Sequence, residues 1–215
     1  MSHYQNFEPP FEIPDSWEWV RLDELFHFIR NGKAIQQSKG AKGLPITRIE
    51  TISKGTLDRS KMGYANIEET SHYQEYLLEN GDILMSHMNS PCHIGKSAVC
   101  EDIQENEAII HGMNLLCLRP YSMIAPQYIG LYFQSSIFYF FIRPFIKNAV
   151  NQASINTANL GGVYIPLPGY NEQRRIVKTF FEIAKVIKVI ALNLEDLSAE
   201  ISLTKSKSMF TFKLN

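Results

Sequence analysis

From Ile176 to Ile201 the apolar positions fall at Ile176, Phe180, Ile183, Ile187, Ile190, Leu194, Leu197 and Ile201, with spacings that alternate four and three. That is the a/d pattern of a coiled coil, narrower than the stripe of an ordinary surface helix. One helix cannot bury its own a/d row, so the pattern predicts a partner helix. A second line, Val177, Ala184 and Ala191, widens the apolar face. Isoleucine occupies both heptad positions, which leaves orientation and copy number open. The seam covers about 26 residues and so about 39 Å of helix.

Upstream the pattern changes period. Leu44–Ile52 alternates apolar and polar side chains and predicts a strand. Gly81-Asp82 reads as a tight turn into ILMS, a short buried strand, and SHMNSPCHIGKS as a loop. SAVCEDI and AIIHGMNLLCLRP read as further strands, the last ending at Pro120. PQYIGLYFQSSIFYFFIRPF reads as a helix stopped at Arg143-Pro144. Near the start, Asp23 is expected to open a short helix that Asn31-Gly32 ends. Asn171 is expected to cap the long helix. Strands first and helices later predict an α+β fold: one mixed α/β domain over residues 1–165, then a coiled-coil helix over residues 170–208.

Composition narrows the class. Hydrophobic residues make up 45% and charged residues 20% of 215, ordinary for a globular chain. MSHYQNFEPPFEIP carries no export-signal pattern, and Cys92, Cys100 and Cys117 are an odd set without framework spacing. Free thiols in a cytoplasmic protein are expected. The apolar run Ile129–Ile146 is interrupted by Gln134, Ser135, Ser136, Arg143 and Pro144, so it reads as core helix and no membrane span is expected.

Net charge is −1, but its distribution is uneven. Arg30–Lys61 holds 8 Lys/Arg against 2 Asp/Glu, whereas Met62–Ile110 holds 1 Lys against 9 acids. Between Glu107 and Glu172 the only charges are Arg119, Arg143 and Lys147. The total does not announce a nucleic-acid binder, but it conceals two positive or acid-free segments and one acidic one, with chance clustering on a solvated surface as the alternative.

The loop after ILMS offers Ser86, His87, Asn89, His93 and Lys96. Asn pairs naturally with adenine, and Lys suits guanine or phosphate. Basic loops add Lys33, Lys39, Lys42, Arg48, Lys54, Arg59 and Lys61. Asn148, Asn151, Gln152, Ser154 and Asn156 lie in the acid-free region, where backbone capping competes with DNA contact. A solvated polar surface remains the alternative for all of these. His87, Cys92, His93 and Cys100 match no standard zinc spacing, so no metal is expected. A Cys92 nucleophile with His93 or His111 as base is possible on composition alone, but adjacent residues usually diverge, and no phosphate loop or Gly-x-Gly cofactor loop is present.

Four stretches, in order, carry a family resemblance: IPDSWEWVRLDEL, NGDIL with IGKSAV, NQASIN, and IPLPGYNEQRRIV. The chain resembles the specificity (S) subunit of type I restriction–modification systems. It departs at Gly169-Tyr170, where the family usually has a proline before a leucine, and in its tail KSKSMFTFKLN. The family's full subunit has two recognition domains and two helices, so a half-length form is expected here.

The resemblance implies a non-catalytic protein without cofactor that reads double-stranded DNA. It would direct adenine N6 methylation by methyltransferase (M) subunits and cleavage with restriction (R) subunits. An antiparallel homodimer through the heptad helix would place two domains about one DNA turn apart on a palindromic, bipartite site. Two rival classes remain: a single-chain methyltransferase or nuclease with an unfamiliar active site, and a coiled-coil adaptor that binds only protein.

Overall fold

The computed structural model describes residues 7–37, 40, 42–67, 70–90, 93–149 and 152–212, with side chains through residue 199. The chain divides into two compact units, Met1–Arg174 and Arg175–Asn215. The first is mixed α and β, as the change of hydrophobic period predicts.

Its centre is a four-stranded antiparallel sheet. Strand β2 (Phe26–Asn31) pairs with β8 (Leu115–Pro120), β8 with β5 (Ile83–Ser86), and β5 with β7 (Ser97–Val99). In β5 all four residues are buried, and in β8 the first four are. Strands covered on both faces need no polar alternation, which is why ILM and LLCL read as unbroken apolar runs. One side of the sheet packs Leu84, Ala98, Leu115 and Cys117 against Ile52, Leu78, Cys100, Ile103 and Ile109. Helix α1 (Pro126–Phe133) packs on β7, followed by α2 (Ser136–Ile142) and the short α3 (Thr157–Gly161).

Three smaller sheets surround this core. Strand β1 (Glu18–Arg21) pairs with β11 (Tyr164–Leu167), so the lead-in segment is tied to the run before the long helix, Trp19 opposite Pro166. Strand β3 (Leu44–Ile46) pairs with β4 (Gly63–Ala65). Strand β10 (Gln152–Ser154) lies between β6 (Met88–Asn89) and β9 (Lys147–Ala149). Trp19 is buried among the rings of Phe7, Phe11 and Phe141.

Several elements differ from the sequence reading. The expected helix at Asp23 is one 3-10 turn, Leu22–Leu25, and FHFIRN continues as strand β2. Pairing with β8 across the core outweighs a weak local helical signal. The strand expected over Leu44–Ile52 ends at Ile46. Arg48 N–H then donates to Thr51 Oγ1 (2.8 Å), opening a 3-10 turn over Ile49–Ile52. The aromatic helix is broken in two because Ser135 Oγ accepts from Phe138 N (3.1 Å), acting as a new N-cap.

Helix α4 runs Tyr170–Phe212, 43 residues, far beyond the heptad seam. No Gly or Pro follows Tyr170 to stop it, so the tail stays helical. The Gly169 carbonyl accepts from Glu172 N and Gln173 N, so Asn171 lies inside the first turn and is not the cap. Buried Gln173 fixes that turn in the first unit: its Oε1 accepts from Ala125 N (2.8 Å), and its Nε2 donates to Pro168 O (2.9 Å).

Candidate nucleic-acid interface

The small sheet brings together two segments that are over sixty residues apart in sequence. Asn89 on β6 stands opposite Ala153 on β10, and Ala153 stands opposite Asn148 on β9. Gln152 faces Ala149, and Lys147 faces Ser154. Asn89, Lys147, Asn148 and Gln152 therefore share one ribbon of three short strands. Lys147, Asn148 and Gln152 are exposed and Asn89 is half-buried. The ribbon is anchored where Ile155 N donates to the His87 carbonyl (3.0 Å).

Asn89 is partly committed to its own loop. Its Oδ1 accepts from Ser90 N at 2.7 Å, and its Nδ2 sits 3.5 Å from Ser86 Oγ. Ser86 is buried, and His87 is 8% exposed. The His87 Nδ1 has no hydrogen-bond partner. Burial lowers the His87 pKa, opposed by a hydrogen bond with the Asn114 backbone, so the ring favours its neutral form.

Asn114 connects this ribbon to a groove of about 310 Å³ lined by Lys33, Gln37, Arg48 and Asn114. Lys33 forms a bridge with Gly112, and its Nζ lies 5.6 Å from the Tyr76 ring centre. The Arg48 guanidinium donates to Gln37 Oε1, from Nε at 2.7 Å. Sequence reading missed Asn114 and Gln37. The available signal was Gly112-Met113-Asn114, a turn in which Asn114 takes φ +76°, a region Asn tolerates.

Other candidates lie elsewhere. Arg59 donates to Glu107 Oε1 (2.8 Å) and Oε2 (3.0 Å) and to the Asp102 carbonyl (2.8 Å), so its charge is engaged by the acidic stretch. Lys61 closes the same 3-10 turn, Arg59–Lys61, and is exposed. Lys42 is exposed and His93 half-buried. Lys54 and Lys96 line a separate cleft beside α1 and α2. Lys39, Cys92 and Asn151 lie outside the described residues.

Catalytic alternatives find little geometry. Among the described residues, no group of three or more His, Cys, Asp or Glu is placed to hold a metal ion. Burial pushes the Cys100 and Cys117 thiols well above the usual range, the opposite of an activated nucleophile. His111 is buried, with Nε2 donating to the Leu115 carbonyl (2.9 Å). No described helix is long and apolar enough to cross a membrane.

The second unit presents its heptad row to solvent. Phe180, Ile183, Ile187, Ile190, Leu194 and Leu197 are between 49% and 60% exposed. Ile176 is half-buried, and the Ile201 side chain lies outside the described ones. An exposed apolar row of this length is unusual on an unpartnered helix.

The model of the type I restriction modification DNA specificity domain matches residues 14–201. The chain is 42% identical over 192 residues to the putative type I restriction enzyme MjaX specificity subunit of Methanocaldococcus jannaschii, covering 87% of this chain and 44% of that one. It is 22% identical over 176 residues to the type I restriction enzyme EcoKI specificity subunit of Escherichia coli, covering 81% and 37%. A chain from a structural study of type I R-M complex assembly and conformational transition superposes with a TM-score of 0.65 at 23% identity, covering 89% of this chain and 44% of that one. The HsdS subunit from Thermoanaerobacter tengcongensis gives 0.58 at 24%, covering 85% and 41%. The chain thus spans less than half the length of these relatives.

Proposed function

The chain belongs to the type I restriction modification DNA specificity domain family, and we propose that it is the non-catalytic subunit that reads double-stranded DNA for a type I complex. Residues 1–165 form the target recognition domain. M subunits would methylate adenine, and R subunits would cleave, at the site this domain selects. Acting on DNA with these partners, it would work in the cytoplasm.

The observation that carries this reading is the register that sets Asn89 and Asn148 on either side of Ala153, with Gln152 exposed on the other face of the same ribbon, beside a groove with Lys33 and Arg48. Side-chain amides suit adenine edges, and the cations suit phosphates. Ser86 and His87 are buried at the start of the loop, and the partly exposed His93 and exposed Lys42 would extend the polar surface. Asn151 precedes the ribbon strand in sequence.

The exposed heptad row supports a homodimer through α4, with residues 170–208 acting as spacer. A two-fold dimer would read a palindromic, bipartite target. The seam spans about 39 Å, close to a DNA turn of about 34–36 Å.

The test is an adenine-methylation map of cells carrying this chain with its methyltransferase. A single bipartite motif that disappears when the chain is deleted is expected. Unchanged methylation after deletion, together with no duplex retained by the purified complex at low salt, would overturn the reading.

A further inference from the structure

Beside α1 and α2 lies a cleft of about 350 Å³, distinct from the ribbon and the Lys33 groove. Two loops form one wall, Ser53–Gly55 and Ile94–Lys96, and the start of β7 adds Ser97. Gly95 has φ +83°, and a Cβ there would stand 2.8 Å from Ile142 Cδ1, so only glycine lets this loop lie flat on α2. Gly55, at φ +77°, brings the other loop to the Gln134 amide, 3.8 Å from where its Cβ would be.

The lining has a definite chemistry. Ile52, Ile94, Phe133, Phe138 and Ile142 make an apolar floor, and no carboxylate lines the cleft. Lys54 and Lys96 both line it, and neither forms an ion pair among the described residues. Asp58 feels the charge of Lys54, and its carboxylate accepts from Ser60 N and Oγ. Tyr139, 43% exposed, offers a ring at the rim. Most telling is Ser97: it is 2% exposed, and its hydroxyl has no hydrogen-bond partner. A buried hydroxyl left unpaired at the wall of a cavity calls for a polar group from outside the chain.

We infer that this cleft binds one nucleotide unit, its phosphate on Lys54, Lys96 and the Ser97 hydroxyl and its base against Tyr139 and the Gln134 amide. Lysines supply the charge that a phosphate needs. An aromatic ring stacks on any base, and a Gln amide matches an adenine edge. The volume sits at the low end of small-ligand pockets, about 300–1,000 Å³, which suits one nucleotide and excludes an oligomer. The nucleotide comes either from a DNA strand, in which case the inference rests on the reading above, or from the free pool, in which case it does not.

Amide chemical shifts of the isotope-labelled full chain separate these sources. The chain is titrated with inorganic phosphate and with 5′-dAMP, and with a target duplex in the presence of the methyltransferase partner. The amides of Gly55, Gly95, Ser97, Gln134 and Tyr139 are expected to move with 5′-dAMP at lower concentration than with phosphate. Joint Lys54→Ala and Lys96→Ala substitution should weaken binding about ten-fold or more, because it removes charged hydrogen bonds. Ser97→Ala should weaken it without lowering Tm, since losing an unpaired buried hydroxyl does not destabilise the fold.

The same amides moving with the duplex assign the strand as the source, and movement with 5′-dAMP alone assigns the free nucleotide. A duplex that binds while neither it nor 5′-dAMP moves these amides overturns the inference and leaves the DNA reading standing. Binding of 5′-dAMP with no duplex binding does the reverse. If no ligand binds, both fail.

Discussion

Arg119 on β8 and Asp82, the residue just before β5, form a two-point ion pair, Nε to Oδ1 and Nη2 to Oδ2, each 2.8 Å. Asp82 is 1% exposed and also accepts from Glu79 N (2.8 Å); Arg119 reaches the Leu77 carbonyl (3.0 Å) and Glu79 as well. The pair holds the Gly81 turn against β8, and so sets the start of the strand that leads to Asn89. The two partners are not equivalent. Removing Arg119 strands a buried carboxylate, whereas removing Asp82 leaves a guanidinium that still has Glu79. Arg119→Met should therefore cost about 3–5 kcal/mol in urea unfolding, and Asp82→Asn less. Equal losses would contradict the asymmetry.

His111 makes the fold sensitive to acid. Burial lowers its pKa from 6.5 to about 4, against the opposing hydrogen bond to Leu115. The unfolded chain takes up a proton below 6.5 that the native state refuses until about 4. Stability is complete above 6.5 and falls as pH drops through this window, by roughly 1.4 kcal/mol per unit at the steepest. Buried His87 contributes in the same direction. Unfolding free energies at pH 7 and pH 4.5 should differ by about 2–3 kcal/mol, and His111→Gln should flatten that slope.

The proposed interface separates two kinds of contact. Lys33→Ala or Arg48→Ala should weaken duplex binding about equally for all sequences and reduce the salt slope by about one each. Asn89→Ala or Gln152→Ala should relax the methylated motif at one position, at about 1–3 kcal/mol of discrimination. Arg59→Ala should have a smaller effect on the salt slope than Lys33→Ala, because Glu107 already neutralises that charge. A filter-binding series across salt concentrations, paired with a methylation map, distinguishes these outcomes.

Much of the fold was legible because burial leaves a plain signature. ILMS, LLCL and the α4 heptad row announce a two-sided core and an unpartnered helix. The elements that misled are those decided by distant partners: FHFIRN is a strand because β8 lies beside it, and the aromatic helix breaks because one Ser135 hydroxyl caps a new start. The candidate site was legible only as residue types. That Asn89 and Gln152 share a ribbon depends on β6 and β10 pairing, two and three residues long, which no local periodicity encodes. Asn114 and Gln37 were invisible for the same reason, since each gains meaning only from the groove around it.

Helix α4 gives the sharpest test of assembly. Ile187 and Ile190 lie mid-seam, each more than half exposed. In a coiled coil each would fill a hole on the partner helix, and a carboxylate there would be buried without a counter-charge. Ile187→Asp with Ile190→Asp should therefore convert the proposed dimer to monomer in sedimentation equilibrium. The Tm of the first unit should stay unchanged, because its core contains neither residue. A monomer in the unsubstituted chain would refute the dimer. A dimer that survives both aspartates would place its interface off the heptad row.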